Sequence, residues 1–188
     1  HQNITTFDGA DNDPDLGSPI SWSPDGRQIA FVQGGEDKWI YYAPNQLAIV
    51  DVATGRTRLP APIDRWFTQP RWSPDGRSVL ALVEQSRVIN LSRIEVASGK
   101  VTPLTTGPRY DAGFALSKQG RIVVLGGDDV TPYELAALEQ GGLRPLGSHN
   151  EWLAQKKLVR FDDISFRSAD GTSIEGFVVK PPDYVPGR

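Results

Sequence analysis

The chain has 188 residues, of which 38% are hydrophobic, and it carries a net charge of -3. Because no basic block is present, the sequence offers no electrostatic footprint for nucleic acid, and no apolar run approaches the roughly 18 residues that a membrane span requires. Cysteine is absent, which excludes disulfides, thiolate metal sites and a cysteine nucleophile within these residues.

The first 19 residues are expected to be the end of a structural unit that begins upstream. Methionine is absent and His1 leads directly into strand-like sequence, so we interpret the N-terminus as a cut end. Residues 4–7 correspond to the later segment 102–105. The alternating acids Asp11, Asp13 and Asp15 suggest calcium ligands, but the Gly and the distal Glu of an EF-hand are missing, which favours a turn rich in solvated acids. No other metal or cofactor site has ligands to offer.

An internal repeat organises the chain from residue 20 onward. Residues 20–27 read ISWSPDGR, and residues 70–77 return as PRWSPDGR after a period of fifty. A degenerate third copy, FALSKQGR, follows at 114–121. Pro, Asp and Gly at consecutive positions predict a tight turn that joins two antiparallel strands. A period of about 44 to 50 residues is typical of the blades of a β-propeller.

Each repeat is predicted to supply four antiparallel strands, which gives three blades at about 20–59, 70–104 and 112–146. The strand after each turn is almost continuously apolar, as in residues 28–32 and 78–83, which indicates burial on both faces. An outer hairpin follows each inner one. Residues 134–139 have good helix propensity, but their place in the repeat favours a strand. We therefore expect an all-β chain, a partial propeller whose three blades occupy 20–151.

The tail at 152–188 departs from the blade pattern. Residues 159–182 read VRFDDISFRSADGTSIEGFVVKPP, which predicts two strands joined by an Asp-Gly turn and ended by a proline pair. This stretch resembles the one by which peptidases of the prolyl oligopeptidase family leave their propeller and begin an α/β-hydrolase domain. Together with the Trp-Ser-Pro-Asp-Gly repeats, the resemblance covers nearly all of residues 4–188.

The resemblance implies a serine peptidase whose propeller restricts access to short peptides or acyl-peptides, and whose Ser, Asp and His lie in the hydrolase domain. No Gly-x-Ser-x-Gly elbow occurs here, and His149 lies in a predicted surface loop, so we expect no catalytic residue and no activity in this chain. Peptide specificity stays open among acylaminoacyl, oligopeptidase-like and dipeptide release. The expected partners are the protein's own C-terminal hydrolase domain and a short peptide, with neither nucleic acid nor membrane.

In this architecture, two sets of blade loops face the hydrolase domain and could touch substrate. A charged group beside an aromatic ring suits a peptide terminus, because Arg can hold a carboxylate in a fork and an acid can hold an amine. The candidate substrate-binding residues are Arg65, Trp66, Arg109, Tyr110 and Glu36. The same loops also carry His149 and Asn150, Gln85 and Arg87, and Asp128 and Asp129. A wet, polar surface is the alternative for any one of them.

Two other functions remain open at this stage. The repeats also occur in the propeller of the Tol-system translocation protein, a binding module without chemistry, which lacks the Asp-Gly-to-Pro-Pro hairpin. A regulatory propeller with a decayed hydrolase is the third possibility. The compartment is unknown, with the cytoplasm favoured over the periplasm or secretion. We expect the isolated chain to form homo-oligomers, because open blade ends present apolar faces.

Overall fold

A computed structural model describes residues 3–12, 18–39, 42–140 and 142–187 of the chain. It is built almost entirely from antiparallel strands, as the repeat predicts. The helical segments within these ranges are short 3₁₀ turns at Asp37–Trp39 and Glu151–Gln155. Within the same ranges, no helix has the length and apolar character needed to cross a membrane.

The first blade is a single sheet in which two short segments share the role of inner strand. Its strands are β1 (Gly9–Asp11), β2 (Ser21–Trp22), β3 (Gln28–Glu36), β4 (Gln46–Asp51) and β5 (Thr57–Arg58). Both β1 and β2 pair antiparallel with β3. Residues 13–17, between β1 and β2 in the chain, lie outside the described residues.

The second and third blades have four strands each. Those of the second are β6 (Phe67–Trp72), β7 (Ser78–Gln85), β8 (Val88–Glu95) and β9 (Val101–Pro103). Those of the third are β10 (Arg109–Leu116), β11 (Ile122–Asp128), β12 (Thr131–Glu139) and β13 (Gly142–Pro145). A single parallel bridge between Tyr110 and Ile89 connects the two blades. The segment 134–139 is therefore a strand, as its place in the repeat predicted.

Turn chemistry explains why the inner hairpins of the first two blades form. In the first blade the Ser23 hydroxyl and the Arg27 N–H both donate to the Asp25 carboxylate, at 2.6 and 3.1 Å. Ser73 and Asp75 repeat the arrangement in the second blade. Gly26 and Gly76 close these turns with φ of 69°. The Pro-Asp-Gly sequence thus fixes the turn through one carboxylate and one left-handed residue.

The core lies between blades. Ala30, Leu47 and Ile49 of the first blade pack against Phe67 and Trp72 of the second. A second cluster joins the blades that follow, with Leu80, Leu82 and Leu91 against Ile122 and Val124. β3 and β7 are buried on both faces because their alternate residues contact different neighbours. In β11 Leu125 is 37% exposed, so the predicted burial on both faces does not extend to the third blade.

The N-terminal segment differs from the prediction by two residues in register. Residues 4–7 form no strand, and Thr5 rather than residue 7 corresponds to Thr105. The Thr5 hydroxyl donates to Asp11 at 2.5 Å, and the Thr105 hydroxyl donates to Asp111 over the same six-residue separation. The signal for the observed register was the pair of adjacent threonines after an apolar residue, Ile4-Thr5-Thr6 and Leu104-Thr105-Thr106, which the prediction did not use.

The tail forms a separate two-stranded sheet, with β14 (Asp162–Arg167) paired to β15 (Ser173–Val178). Its turn repeats the blade chemistry, since the Ser168 hydroxyl and the Thr172 N–H both donate to Asp170. The Asp-Gly turn that the sequence predicted is therefore present.

Candidate functional site

Arg87, in the turn between β7 and β8, joins the blades to the tail hairpin. Its guanidinium bonds Asp129 of the third blade, with an Nη1–Oδ1 distance of 3.0 Å, and also bonds Asp163 at the start of β14. The hydrogen bond with Asp163 and the charge of Asp129 raise the pKa of Arg87 despite an opposing effect of burial. The neighbouring residue Ser86 has a left-handed φ of 55°, and its hydroxyl donates to Glu175 of β15 at 2.5 Å.

Aromatic rings complete the same junction. Phe161 and Phe177 stack with centroids 5.1 Å apart and planes 11° apart. The Arg87 Cζ atom lies 5.8 Å from the centre of the Phe161 ring. The Phe161 N–H donates to the second oxygen of Asp129 at 3.1 Å. One carboxylate thus orients both the arginine and the backbone from which the hairpin departs.

A second ion pair holds the segment that leads from the third blade to the tail hairpin. Arg160 contacts Asp128 at 2.9 Å, with Nη2 and Oδ2 as the two atoms. Burial opposes ionisation of Asp128, but hydrogen bonds from the Val130 N–H and from Arg160 lower the pKa of the carboxyl overall. Two adjacent acids of the β11–β12 turn therefore face two arginines that are far apart in sequence.

A cleft of about 420 Å³ opens beside this junction, and we call it the aromatic cleft. Its lining combines rings with charges of both signs: Arg87, Pro108, Arg109, Tyr110, Gly127, Asp128, Asp129, Tyr133, Phe161 and Phe177. Tyr110 and Tyr133 stack with centroids 5.8 Å apart. Burial raises the pKa of Tyr133, with a smaller contribution from Tyr110. Such a surface can hold an apolar side chain and a charged group at once.

Arg109 is held in the cleft wall by a buried acid. Its Nε atom donates to Asp111 at 2.7 Å, and Asp111 is completely buried. The other oxygen of Asp111 accepts from the Leu91 N–H at 3.0 Å and from the Thr105 hydroxyl. Three donors therefore stabilise this carboxylate, and the orientation of Arg109 is fixed before any ligand arrives.

The structure does not bring all predicted substrate-binding residues into one cleft. Arg109 and Tyr110 line the aromatic cleft, whereas Arg65 lines a different one of about 430 Å³ with Ile63 and Asn90. Trp66 is half-buried beside it, and its carbonyl accepts from the Glu84 N–H at 2.9 Å. Glu36, at the end of β3, forms an exposed ion pair of 2.6 Å with Lys38. Substrate contact by these residues remains a prediction.

His149 and the acidic loop can be placed as well. His149 is exposed and its backbone N–H donates to Glu134 at 3.1 Å. Asp11 and Asn12 fall in the described ranges, whereas Asp13 and Asp15 lie outside them. Across those ranges, no group of three or more His, Cys, Asp or Glu side chains is arranged to hold a metal ion.

The contacts of Arg87 with the tail were not predicted from the sequence. Arg87 and Asp129 were predicted as possible substrate contacts. Their side chains contact the tail, and both also line the aromatic cleft, so substrate contact by them stays a prediction. Asp163 was not singled out, and it lies 76 residues from Arg87 in the chain. The available signal was the charge of two equivalent turns: the turn between the second and third strands carries Arg87 in the second blade and Asp128 and Asp129 in the third.

Comparison with known proteins places peptidases among the relatives of this chain. No family model matches. Dipeptidyl-peptidase 5 of Porphyromonas gingivalis is 23% identical over 167 residues, which is 87% of this chain and 24% of that protein. The uncharacterized peptidase YuxL of Bacillus subtilis is 27% identical over 128 residues, 68% of this chain and 18% of that protein. The chain thus spans about a quarter or less of the curated relatives it matches.

Solved structures show the same fold. An acylaminoacyl peptidase, in complex with Z-Gly-Gly-Phe-chloromethyl ketone, matches with a TM-score of 0.65 and 23% identity, over 87% of this chain and 25% of that one. The isopeptidase AtxE2 matches with a TM-score of 0.66 and 18% identity, over 90% and 26%. TolB of Acinetobacter baumannii matches with a TM-score of 0.59 and 22% identity, over 77% and 34%. The resemblance to the propeller portion of prolyl oligopeptidase family peptidases is confirmed.

Proposed function

We propose that the chain is the substrate-gating propeller portion of a serine peptidase that hydrolyses short peptides or acyl-peptides. In this proposal the catalytic Ser, Asp and His belong to an α/β-hydrolase domain of the longer protein, and the 188 residues have no hydrolytic activity of their own. The sequence similarity to two peptidases supports the peptidase part of the proposal. The tail hairpin and the cleft beside it support the rest of the proposal.

The observation that carries the proposal is the two-faced character of the tail hairpin. Strand pairing places Asp163, Ser165, Glu175 and Phe177 on one face, and Ile164, Phe166, Ile174 and Val178 on the other. The first face meets the blades through Arg87 and Ser86. The second face also carries Asp162, opposite Val178, but is otherwise apolar, and its four apolar side chains are between 37% and 56% exposed.

A hairpin with such a face requires a further layer. Two strands alone are marginally stable in water, and a contiguous apolar face that water contacts marks an interface. The blades already occupy the polar face, so the apolar face is available to a following domain. Such a hairpin is expected where the chain passes from a propeller into a hydrolase domain. A binding module that ends with its last blade would not require an apolar hairpin face.

The aromatic cleft supports the gating part of the proposal. It lies beside the hairpin and so beside the junction with the proposed hydrolase domain. Arg109 is pre-oriented by Asp111, and Tyr110 and Tyr133 form a stacked wall. A fixed guanidinium next to rings suits a peptide that carries a free carboxylate and an apolar side chain.

A binding propeller of the Tol type is the second candidate, because TolB of Acinetobacter baumannii shares the fold over 77% of this chain. The two candidates make opposite predictions about the longer protein. A serine peptidase reacts with a fluorophosphonate probe, whereas a binding propeller does not.

The experiment is turnover of a panel of aminoacyl and acyl-aminoacyl chromogenic substrates by the full-length protein, before and after fluorophosphonate labelling. Turnover that labelling abolishes is the expected result. A Tyr110→Ala variant is then expected to raise KM for peptides more than for a small ester, while Tyr42→Ala, at an 85% exposed residue, serves as the matched control. Absence of both turnover and label would refute the peptidase and favour the binding module.

A further inference from the structure

The third strand of each blade carries a polar residue at one equivalent position. Gln46, Asn90 and Glu134 occupy it at intervals of 44 residues, and each pairs with the equivalent residue of the second strand. The three side chains differ in reach, because asparagine is one methylene shorter than glutamine and glutamate. Their contacts show what this position does in each blade.

In the first and third blades the residue holds the loop that follows its own blade. The Gln46 amide nitrogen donates to the Ile63 and Arg65 carbonyls, at 2.9 and 3.1 Å. The Glu134 carboxylate accepts from the His149 N–H at 3.1 Å. Both side chains therefore satisfy backbone groups that lie outside the strand ladders.

In the second blade, other residues hold the following loop. The Leu91 N–H donates to Thr105 and to Asp111, at 2.9 and 3.0 Å, and so fixes the segment that leads into the third blade. Asn90 is not needed there. Its Nδ2 atom is shielded from solvent and has no hydrogen-bond partner within the described residues. A buried amide in this condition is costly, which indicates a purpose other than stability.

Asn90 lines the cleft of about 430 Å³ that Arg65 also lines, and we call it the interblade cleft. Ser92 lies on the same face of β8 and lines the same cleft. Strand pairing places the two residues opposite Val83 and Ala81, which belong to the apolar cluster between the first two blades. An amide and a hydroxyl thus lie side by side at the edge of an apolar interface.

Ser92 also departs from the other two blades. It is only 2% exposed, and the equivalent residues of the first and third blades are Ala48 and Ala136. The fold therefore accepts alanine at this position. Two neighbouring polar groups that the blade does not require face one cleft.

The walls of the interblade cleft are apolar and held in place. Val83, Val101 and Pro103 of the second blade line it, together with Ile63 from the loop of the first. The two hydrogen bonds from Gln46 fix that loop, so the cleft exists before a ligand arrives. Its volume lies within the range of about 300–1,000 Å³ that is typical of small-molecule sites.

The charges of the interblade cleft favour a neutral ligand. Asp64 and Arg65 line it with opposite charges, and both are exposed to solvent. Asn90 and Ser92 are uncharged. Burying an ion against these two groups would be costly, because neither provides a countercharge.

We infer that the interblade cleft binds a neutral peptide unit with a small aliphatic side chain. A peptide group offers one carbonyl and one N–H, which complement the amide of Asn90 and the hydroxyl of Ser92. The Asn90 amide can turn about its last bond toward the ligand, because its nitrogen has no protein partner to lose. The apolar walls accommodate the side chain. The inference stands without the proposed peptidase function, since it rests on the first two blades alone.

The test is titration of the isotope-labelled 188-residue chain with N-acetyl-L-valine methylamide, followed by NMR. The expected result is a saturable shift of the Asn90 side-chain amide and of the backbone amides of β8. N-acetylglycine methylamide has the same peptide groups without the aliphatic side chain. It is expected to bind about tenfold more weakly, because it buries less apolar surface.

Two variants test the polar contacts. Ser92→Ala introduces the residue that the other blades carry, and it is expected to weaken binding about fivefold through the loss of one hydrogen bond. Asn90→Ala is expected to weaken it by about as much or more. Ser98→Ala is the matched control, because Ser98 lies in an exposed turn of the same hairpin. Circular dichroism establishes that each variant is folded.

Three outcomes would overturn the inference. The first is the absence of a saturable shift at Asn90, which would leave water as the occupant of the interblade cleft. The second is equal affinity of Ser92→Ala and Ser98→Ala for the valine probe. The third is a shift of the Arg109 and Tyr110 signals in place of Asn90, which would assign the probe to the aromatic cleft and support the gating proposal instead.

Discussion

Asp111 occupies in the third blade the position that Phe67 occupies in the second, and both side chains are completely buried. The two strands pair with their neighbours in the same register, with Phe67 opposite Val83 and Asp111 opposite Gly126. Phe67 packs in the apolar cluster between the first two blades. Asp111 instead accepts hydrogen bonds from three donors. One fold position thus accommodates either an apolar ring or a satisfied carboxylate.

Replacing Asp111 by Ala is expected to destabilise the chain by about 3 kcal/mol, because the Leu91 N–H and the Arg109 guanidinium lose their buried partner. Urea unfolding followed by tryptophan fluorescence measures the change. Glu139→Ala is the control, because it removes an ion pair with Arg144 that is exposed at both ends, and little change is expected. Equal midpoints for the two variants would contradict a structural role for the Asp111 network.

Gly99 and Gly26 provide a comparison between two turns with nearly the same backbone. Their φ values are 71° and 69°, in the left-handed region that costs an L-residue about 1–2 kcal/mol. A Cβ on Gly26 would meet nothing within 4 Å, whereas one on Gly99 would lie 2.0 Å from the Pro60 carbonyl oxygen. Gly26→Ala is therefore expected to cost about 1 kcal/mol, and Gly99→Ala about 1 kcal/mol or more beyond that. Thermal unfolding of the two variants tests this difference in stability. Gly99→Ala should unfold at the lower temperature, because only its Cβ contacts the preceding segment at Pro60.

The blade hairpins could be predicted from the sequence because their signals are local. Ser23, Asp25 and Gly26 fix one turn through contacts within a few residues, and the same residue types return fifty positions later. The tail turn at Asp170 and Gly171 was predictable for the same reason. Strand boundaries differed mainly by extension, as in β7, which continues to Gln85 beyond the apolar run.

The candidate site was less predictable because its contacts are long-range. The sequence predicted Arg65, Trp66 and Glu36 in loops on a common face. In the structure Arg65 lines a cleft with Ile63 and Asn90, whereas Glu36 forms an exposed ion pair with Lys38. Arg87 has no local signal that distinguishes a substrate contact from a structural one, since its partners Asp129 and Asp163 lie 42 and 76 residues away. The burial of Asp111 was not predicted either, because an aspartate in a strand normally indicates an exposed position.

Arg87→Gln is expected to loosen the tail hairpin while the blades remain intact. The variant keeps a hydrogen-bonding side chain but loses the charge that bridges Asp129 and Asp163. Hydrogen exchange followed by mass spectrometry should show faster exchange in β14 and β15, and little change in β7 and β11. Arg144→Gln is the matched control, because Arg144 bonds one exposed carboxylate on the third blade. Unchanged exchange in the hairpin of Arg87→Gln would show that the aromatic stack of Phe161 and Phe177 holds it without the charge.

The tail turn predicts a dependence on acid. The Ser168 hydroxyl and the Thr172 N–H donate to Asp170 and lower its pKa from 3.8 to about 2. Because the folded pKa is lowered, the contribution of this carboxylate to stability is present above pH of about 4 and is lost as the pH falls from there to about 2. Titration of the Asp170 side chain by NMR should give a midpoint near the lower value. Ser168→Ala removes the larger of the two effects and should move the midpoint upward, toward 3.8. A wild-type midpoint already at 3.8 would mean that the hydroxyl does not hold the carboxylate in solution, and the turn would then depend on the Asp-Gly backbone alone.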